Sequence, residues 1–361
     1  LTVDPGRIDE LRLRFNDTGL ASRRVELGSG EDDAEALFDR GWTDGLPVVP
    51  PTEARVARML DGTNRAADEV VAVMPPALVE CTVEKVAVNA VMAGCLPDHL
   101  PVLVSAVRAL AHPELNLRGV NATTHCVAPL LVVHGEVARS GGYNSGPGAF
   151  GPGNRANATT GRALLLVLLH VAGATPGDGD ASTQGGPGKY GFCVAENLDA
   201  SPWAGYAASI GVDAPSAVTV HCGEAPHNVH DMESSDPARI LDKVASAMAT
   251  TAQNNACISQ GEYVVALCPE HAATCAEAGW SRCDVASYLF QRARLPAGEL
   301  RAAFAHRAWA PWMDRLEDDE LVPMTGEAGN IRVLVVGGPG KHSSVIPSWG
   351  MTRSVTLPVE A

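Results

Sequence analysis

Three observations predict an α/β fold with a mixed, largely buried sheet and helices on both faces. Short runs rich in β-branched residues recur along the chain, each apolar along its whole length rather than alternating. Segments with helical periodicity fall between them. The 361 residues are 46% apolar and 19% charged, the balance of a packed chain with a sizeable core.

Residues 1–40 are polar, with an acidic run "GSGEDDAEALFDRG", and read as an N-terminal arm carrying at most a short helix. Residues 41–361 read as one α/β catalytic domain with room for two lobes, since no clean linker interrupts them. "TDGLPVVPPT" (43–52) is extended, because each Pro biases its predecessor away from helix, and Thr52 is placed to cap a helix over "EARVARML". "TVEKVAVNAVMAG" (82–94) and "LPVLVSAVRALA" (100–111) predict a helical hairpin turning at "CLPD". Strands are expected over 129–136, 190–197, 216–224, 262–270 and 331–338, with helices over 157–173, 236–252 and 283–306. The stretch 268–284 reads as an amphipathic helix with Cys268, Cys275 and Cys283 as core thiols.

The net charge of −15, with no clustered Lys/Arg, argues against nucleic acid and against an anionic membrane surface. The longest apolar run, "ALLLVLLHVAGA" (163–174), is too short to span a bilayer. No basic-then-apolar leader opens the chain, which begins with Leu. The nine cysteines are scattered in a large chain without a leader, so reduced thiols and a cytoplasmic location are expected, and no Cys-x-x-Cys supports a dithiol redox role. A homo-oligomer is expected as well.

The densest chemical signal is "GGYNSGPGAFGPGNRANATTGRA" (141–163), with six glycines and two prolines between 141 and 154 just ahead of a helix. Glycine lets backbone approach a ligand, and a helix N-terminus presents unpaired N–H groups. Asn154, Arg155 and Asn157 at that start are candidates to bind an anionic substrate, with capping as the competing role for the two asparagines. Gly-Gly-Pro-Gly-Lys occurs at 185–189 and again at 337–341. Neither copy is a phosphate loop: Thr183 and Val335 stand where the first Gly belongs, and Tyr190 and His342 follow the lysines. No nucleotide cofactor is indicated. Lys189, Lys341 and His342 are read instead as walls of one anion pocket, against simple chain reversal.

Four of the expected strands end in Glu, at Glu136, Glu196, Glu224 and Glu270, and His134, His221, His227 and His271 lie close by. Ligands of open α/β sheets bind where strands end and loops converge. Glu196, Glu224, His125 and His227 are therefore the proton-transfer candidates. His221, His227 and His230 in "HCGEAPHNVHDM" are the candidate ligands of a divalent metal, on a loose H-x5-H-x2-H spacing that a polar loop with spare histidines also fits. No G-x-S-x-G marks a serine hydrolase.

"WTDGLPVVPPT", "TVEKVAVNAVMAGC", "GPGNRANATTGRAL", "GGPGKYGFCVAEN" and "GGPGKHSSVIPSWG", spread over roughly residues 40–350, resemble a poorly characterised bacterial family. Its members accompany, or are fused to, the UGSC-type (seleno)proteins, relatives of the B subunits of glycine-type reductases. The resemblance implies a redox partner protein and small-molecule reduction or carbon–heteroatom cleavage; it assigns no catalytic residue. This chain has no Cys-Gly-Ser-Cys sequence of its own. The resulting expectation is an enzyme acting on a small anionic metabolite by acid/base or metal-assisted chemistry, a lyase or hydrolase. The alternatives are a thiol- or cofactor-dependent oxidoreductase using Cys193 or Cys222, and a non-catalytic ligand-binding or scaffold subunit.

Overall fold

The β-branched runs pair into two four-stranded sheets stacked face to face, each with helices on its outer surface. A computed structural model describes residues 19–28, 30–258, 260–304 and 312–360; positions 1–18 of the expected N-terminal arm lie outside the described residues. The α/β class and the buried, mixed character of the sheets are as expected. The sheet itself is divided in two.

The strands of the two sheets are, in chain order, β1 (Ala128–Gly135), β2 (Cys193–Ala195), β3 (Ser216–Gly223), β4 (His227–His230), β5 (Tyr263–Leu267), β6 (Ile331–Val335), β7 (His342–Pro347) and β8 (Val355–Pro358). Sheet I runs β8-β3-β1-β2 and sheet II runs β4-β7-β5-β6. In both, the first two contacts are antiparallel and the last is parallel. The two halves of the chain thus repeat one plan, with β1, β2 and β3 matched by β5, β6 and β7. The fourth strand of each half crosses over: β4 follows β3 into sheet II, and β8 follows β7 into sheet I. The recurring GGPGK does not mark this repeat, because one copy precedes β2 while the other follows its counterpart β6.

The helices obey the same plan. Taken in chain order, α1 (Glu53–Leu60) and α2 (Val83–Ala93) precede α3 (Leu100–Leu110), which lies on β3 and β8. The crossover helix α4 (Arg155–His170) joins β1 to β2, as a parallel pair requires. In the second half α5 (Pro237–Met248) lies on β7 and β4, and the β5–β6 crossover carries α6 (Pro269–Glu277) and α7 (Arg282–Arg292). Thr82 caps α2 by accepting from the Lys85 N–H, whereas Thr52 occupies the cap position of α1 without a side-chain bond. The expected helix over 283–306 is broken by the short strand Arg294–Pro296, paired to Leu321–Pro323, before Ala297–Ala303 resumes. Among the described residues no helix is long and apolar enough to cross a membrane.

The core has three layers. One cluster packs sheet I on α2, α3 and α4, and a second packs sheet II on α5 and α7. The third lies between the sheets, where Leu130, Val132 and Val194 meet Val264, Leu334 and Ile346. Directly paired residues share a face, so Thr219 and His221, opposite Val132 and Leu130, also point into this middle layer. That layer is consequently part apolar and part polar.

Candidate functional site

The loop 123–127 enters β1, and β3 ends beside it, because Ala128 pairs with Gly223. This register brings two of the expected proton-transfer residues together. His125 Nε2 lies 3.0 Å from Glu224 Oε1, with the imidazole 11% and the carboxylate 26% exposed. The His125 N–H is donated to Thr123 Oγ1, and the Glu224 N–H to the Pro347 carbonyl, so both residues are fixed at the backbone. His125 Nδ1 is buried and has no hydrogen-bond partner.

Cys126 is the neighbour of this pair. Burial pushes its thiol up, the Glu224 carboxylate adds to that, and the Lys189 ammonium opposes it. Lys189 is therefore close enough to act on the site, and the first GGPGK turn runs past the Cys126 carbonyl at Gly186. The ammonium is not free, however. It binds Asp180 at 2.6 Å, and both side chains are largely buried. Burial pushes the Asp180 carboxyl up, but Lys189 and the Ser182 hydroxyl outweigh it and hold the group below its ordinary value. Asp180 carries no local sequence signal; it lies just ahead of the turn, in the loop leading to it.

Glu196 is enclosed rather than open to a substrate. Its carboxylate has no exposed surface and is saturated: His134 Nδ1 at 2.8 Å, Arg282 at 3.1 Å, and the Tyr206 N–H at 3.0 Å. Burial pushes this carboxyl up, and the His134 bond with the charges of His134 and Arg282 brings it below the usual value. His134 in turn reaches Thr219 Oγ1 at 2.9 Å. A second buried chain crosses the sheets, from Arg332 to Glu262 at 2.7 Å, from the Ser354 hydroxyl to Glu262, and from Ser354 to His221 Nδ1 at 2.8 Å. These are ionic ties between the sheets.

The metal reading of His221, His227 and His230 is corrected by the strand exchange. His221 is buried in β3 of sheet I, while His227 and His230 lie on β4, the edge strand of sheet II. His227 pairs with Val345 and His230 with His342, three residues apart along a strand, so they point to opposite faces. Among the described residues no three His, Cys, Asp or Glu side chains gather as a metal would require. His227 is exposed, and among the described residues no hydrogen bond or ion pair joins it to the His125–Glu224 pair.

Most of the expected anion contacts are internal. Asn154 caps α4, accepting from the Asn157 N–H at 2.9 Å and donating to the Gly142 carbonyl at 2.9 Å. Asn157 is buried and bonds both the N–H and the carbonyl of Asn144, plus the Ala149 carbonyl at 3.1 Å. The two amides hold the glycine-rich loop in one shape rather than reaching out of it. Arg155 donates from Nε to the Gly94 carbonyl at 2.9 Å, closing the C-terminus of α2. In the second GGPGK turn, Lys341 donates to the Met232 carbonyl at 3.0 Å, and the Gly340 N–H binds Glu270 Oε1 at 2.7 Å. That turn cradles an anion already, and the anion is Glu270. The two lysines answer to different partners and do not wall one pocket.

The loop and the second turn nevertheless meet. The Gly337 N–H donates to the Ser145 carbonyl at 2.7 Å, and a Cβ on Gly338 would come within 2.4 Å of Pro147. Between them opens a cleft of about 220 Å³, roofed by residues 148–151 and floored by Ala266, Val336, His342 and Ser344. Of the expected substrate contacts, only His342 lines it. The Phe150 ring at its mouth lies 5.9 Å from Phe192, just after the first GGPGK turn.

The thiols named for a redox role are out of reach. Cys193 and Cys222 are buried in the helix-facing core of sheet I. Burial pushes Cys193 far up, and Cys222 to about 12, so neither presents a thiolate. Comparison with family models, with curated proteins and with solved structures found no match.

Proposed function

We propose that the chain is an enzyme that moves a proton on a small anionic metabolite, a lyase or hydrolase, with His125 as the base. The supporting observation is the half-buried His125–Glu224 pair, with its unpartnered Nδ1. With Nε2–H donated to the Glu224 carboxylate, the buried Nδ1 carries the lone pair, which a substrate reaches when the loop 123–127 moves, and Glu224 fixes the ring and stabilises the imidazolium once it forms. Glu224 is thus a positioning residue. Lys189, held by Asp180, is the cation beside the pair.

A panel of small carboxylates and phosphate esters, followed for product by mass spectrometry, tests this reading. On the substrate that turns over, His125→Gln is expected to lower kcat by roughly a hundredfold or more, the usual contribution of a general base. Glu224→Gln should lower kcat less and alter its pH profile. Turnover unchanged in His125→Gln would overturn the assignment.

A further inference from the structure

We propose that the cleft beneath residues 148–151 is an oxyanion-binding subsite, which takes a carboxylate or phosphate group through Ser344, His342 and the amides of Gly148 and Phe150. As the place where an anionic metabolite is anchored, it rests on the reading above; as a binding site, it stands by itself.

The argument is one of unequal satisfaction. Three carbonyls of the lining are already used: Gly148 accepts from the Gly151 N–H at 2.7 Å, Ala149 from Asn157, and Gly337 from Asn197 at 3.0 Å. The donors are different. Among the described residues, neither the Gly148 nor the Phe150 N–H has a partner, and the Ser344 hydroxyl has none. His342 fixes its ring by Nδ1, 3.0 Å from Asn228 Oδ1, which leaves Nε2 open. The His230 ring lies 5.7 Å away, beside it on the same face of the sheet. No carboxylate lines the cleft, in a chain with 42 acidic and 27 basic residues. Glu270, in the helix Pro269–Glu277, is bound by the Gly340 N–H of the second GGPGK turn.

These donors are not used inside the protein and are free for a ligand in exchange for water, and an oxyanion offers several lone pairs to one small cradle. The strands supply the geometry. Ser344 and His342 are two apart on β7 and so share a face, with Ala266 and His230 as their cross-strand neighbours. The roof is preformed, because Asn157 and Asn154 hold the loop from beneath. Phe150, Val336 and Ala266 leave room for a short apolar body rather than a large one.

The test is an amide-resolved NMR titration of the intact chain with inorganic phosphate and, separately, with propionate, at constant ionic strength. Saturable shifts of the Gly148 and Phe150 amides are expected with at least one of the two, and which one moves them tells phosphate from carboxylate recognition. Ser344→Ala should weaken that binding about tenfold, the worth of one hydrogen bond to a charged group. Shifts that do not saturate with either anion, or that fall away from residues 148–151, overturn the proposal, and the wild-type titration decides even if the variant fails to fold. His125→Gln separates the two readings. It should leave the titration intact while turnover is lost, whereas an intact catalytic effect with no anion binding removes the subsite alone.

Discussion

His221 sits without exposed surface between the sheets, its Nδ1 2.8 Å from Ser354 Oγ. Burial pushes its imidazole down to about 4, against the Glu262 carboxylate, which pulls it up. In the unfolded chain a histidine takes its proton near pH 6.5. Between those values the unfolded state binds a proton that the folded state refuses, so stability rises with pH through that window. The contribution is whole above about pH 6.5 and is lost as pH falls toward 4, roughly 3 kcal/mol in all. Thermal melts across this range should therefore converge: His221→Gln loses less Tm on acidification than wild type does. Parallel curves would show that His221 stays neutral for no energetic reason. The same scale explains what sequence reasoning found and missed. His125 and Glu224 were legible as chemistry, because a carboxylate and an imidazole stand where strand ends converge. The identical rule selected Glu196, which the fold then roofs with Arg282, 86 residues away. No local pattern carries a contact of that separation. Ser344 carries no signal in the sequence, since a serine in a strand looks like any other; only its unspent hydroxyl beside His342 distinguishes it.

The elements that could be read were those whose own residues decide them. The runs at 128–135, 216–223, 263–267 and 331–335 are mostly apolar and lie within a few residues of expectation. The strands β4, β7 and β8 were not legible, since "HNVH", "HSSVIP" and "VTLP" are polar or broken by proline, and they exist because a partner strand lies waiting. Tertiary packing also overrides propensity inside α4. Gly161 is a poor helix residue, and replacing it with Ala should gain about 1 kcal/mol by propensity alone. The fold leaves no room for it: a Cβ there would come 2.7 Å from the Phe192 nitrogen and 3.1 Å from Cys193 Cβ. The nearest atom is backbone and cannot swing away. Gly161→Ala is therefore expected to cost about 2 kcal/mol net, the scale of overpacking in a tight interior. A denaturant midpoint at or above wild type would mean that α4 and β2 can separate freely, and the close seat of the crossover helix would be wrong.

At the scale of the molecule, the repeated plan makes each half incomplete without the other. Sheet I needs β8 from the second half to cover the eight-residue strand β3, and sheet II needs β4 from the first half to cover the six-residue strand β7. Removing either strand lays open a long apolar edge of unpaired N–H and C=O groups. The exchange also carries polar ties: Ser354 hydrogen-bonds Glu262 across the sheets, and Thr356 of the donated β8 hydrogen-bonds Thr219 within sheet I. A break in "MESSDP" (232–237), between the donated β4 and α5, cuts the repeat at its joint while leaving every strand on one fragment or the other. Fragments 1–233 and 234–361 expressed together should therefore purify as a one-to-one complex with the helical content of the intact chain. Expressed separately, each should be insoluble or lack a cooperative melt. The pseudo-symmetric plan alone would be compatible with two self-sufficient lobes, and that is the outcome to look for against it. If 234–361 alone gives a soluble monomer with a sharp transition, β4 is an ornament of sheet II and the strand exchange does not hold the halves together. The exchange also bears on the site, since Glu224 occupies the turn between β3 and the departing β4 and its N–H is held by Pro347 at the end of β7. Loss of the complementing fragment should accordingly abolish turnover even where the remaining fragment stays in solution, because the His125–Glu224 pair is anchored from both halves.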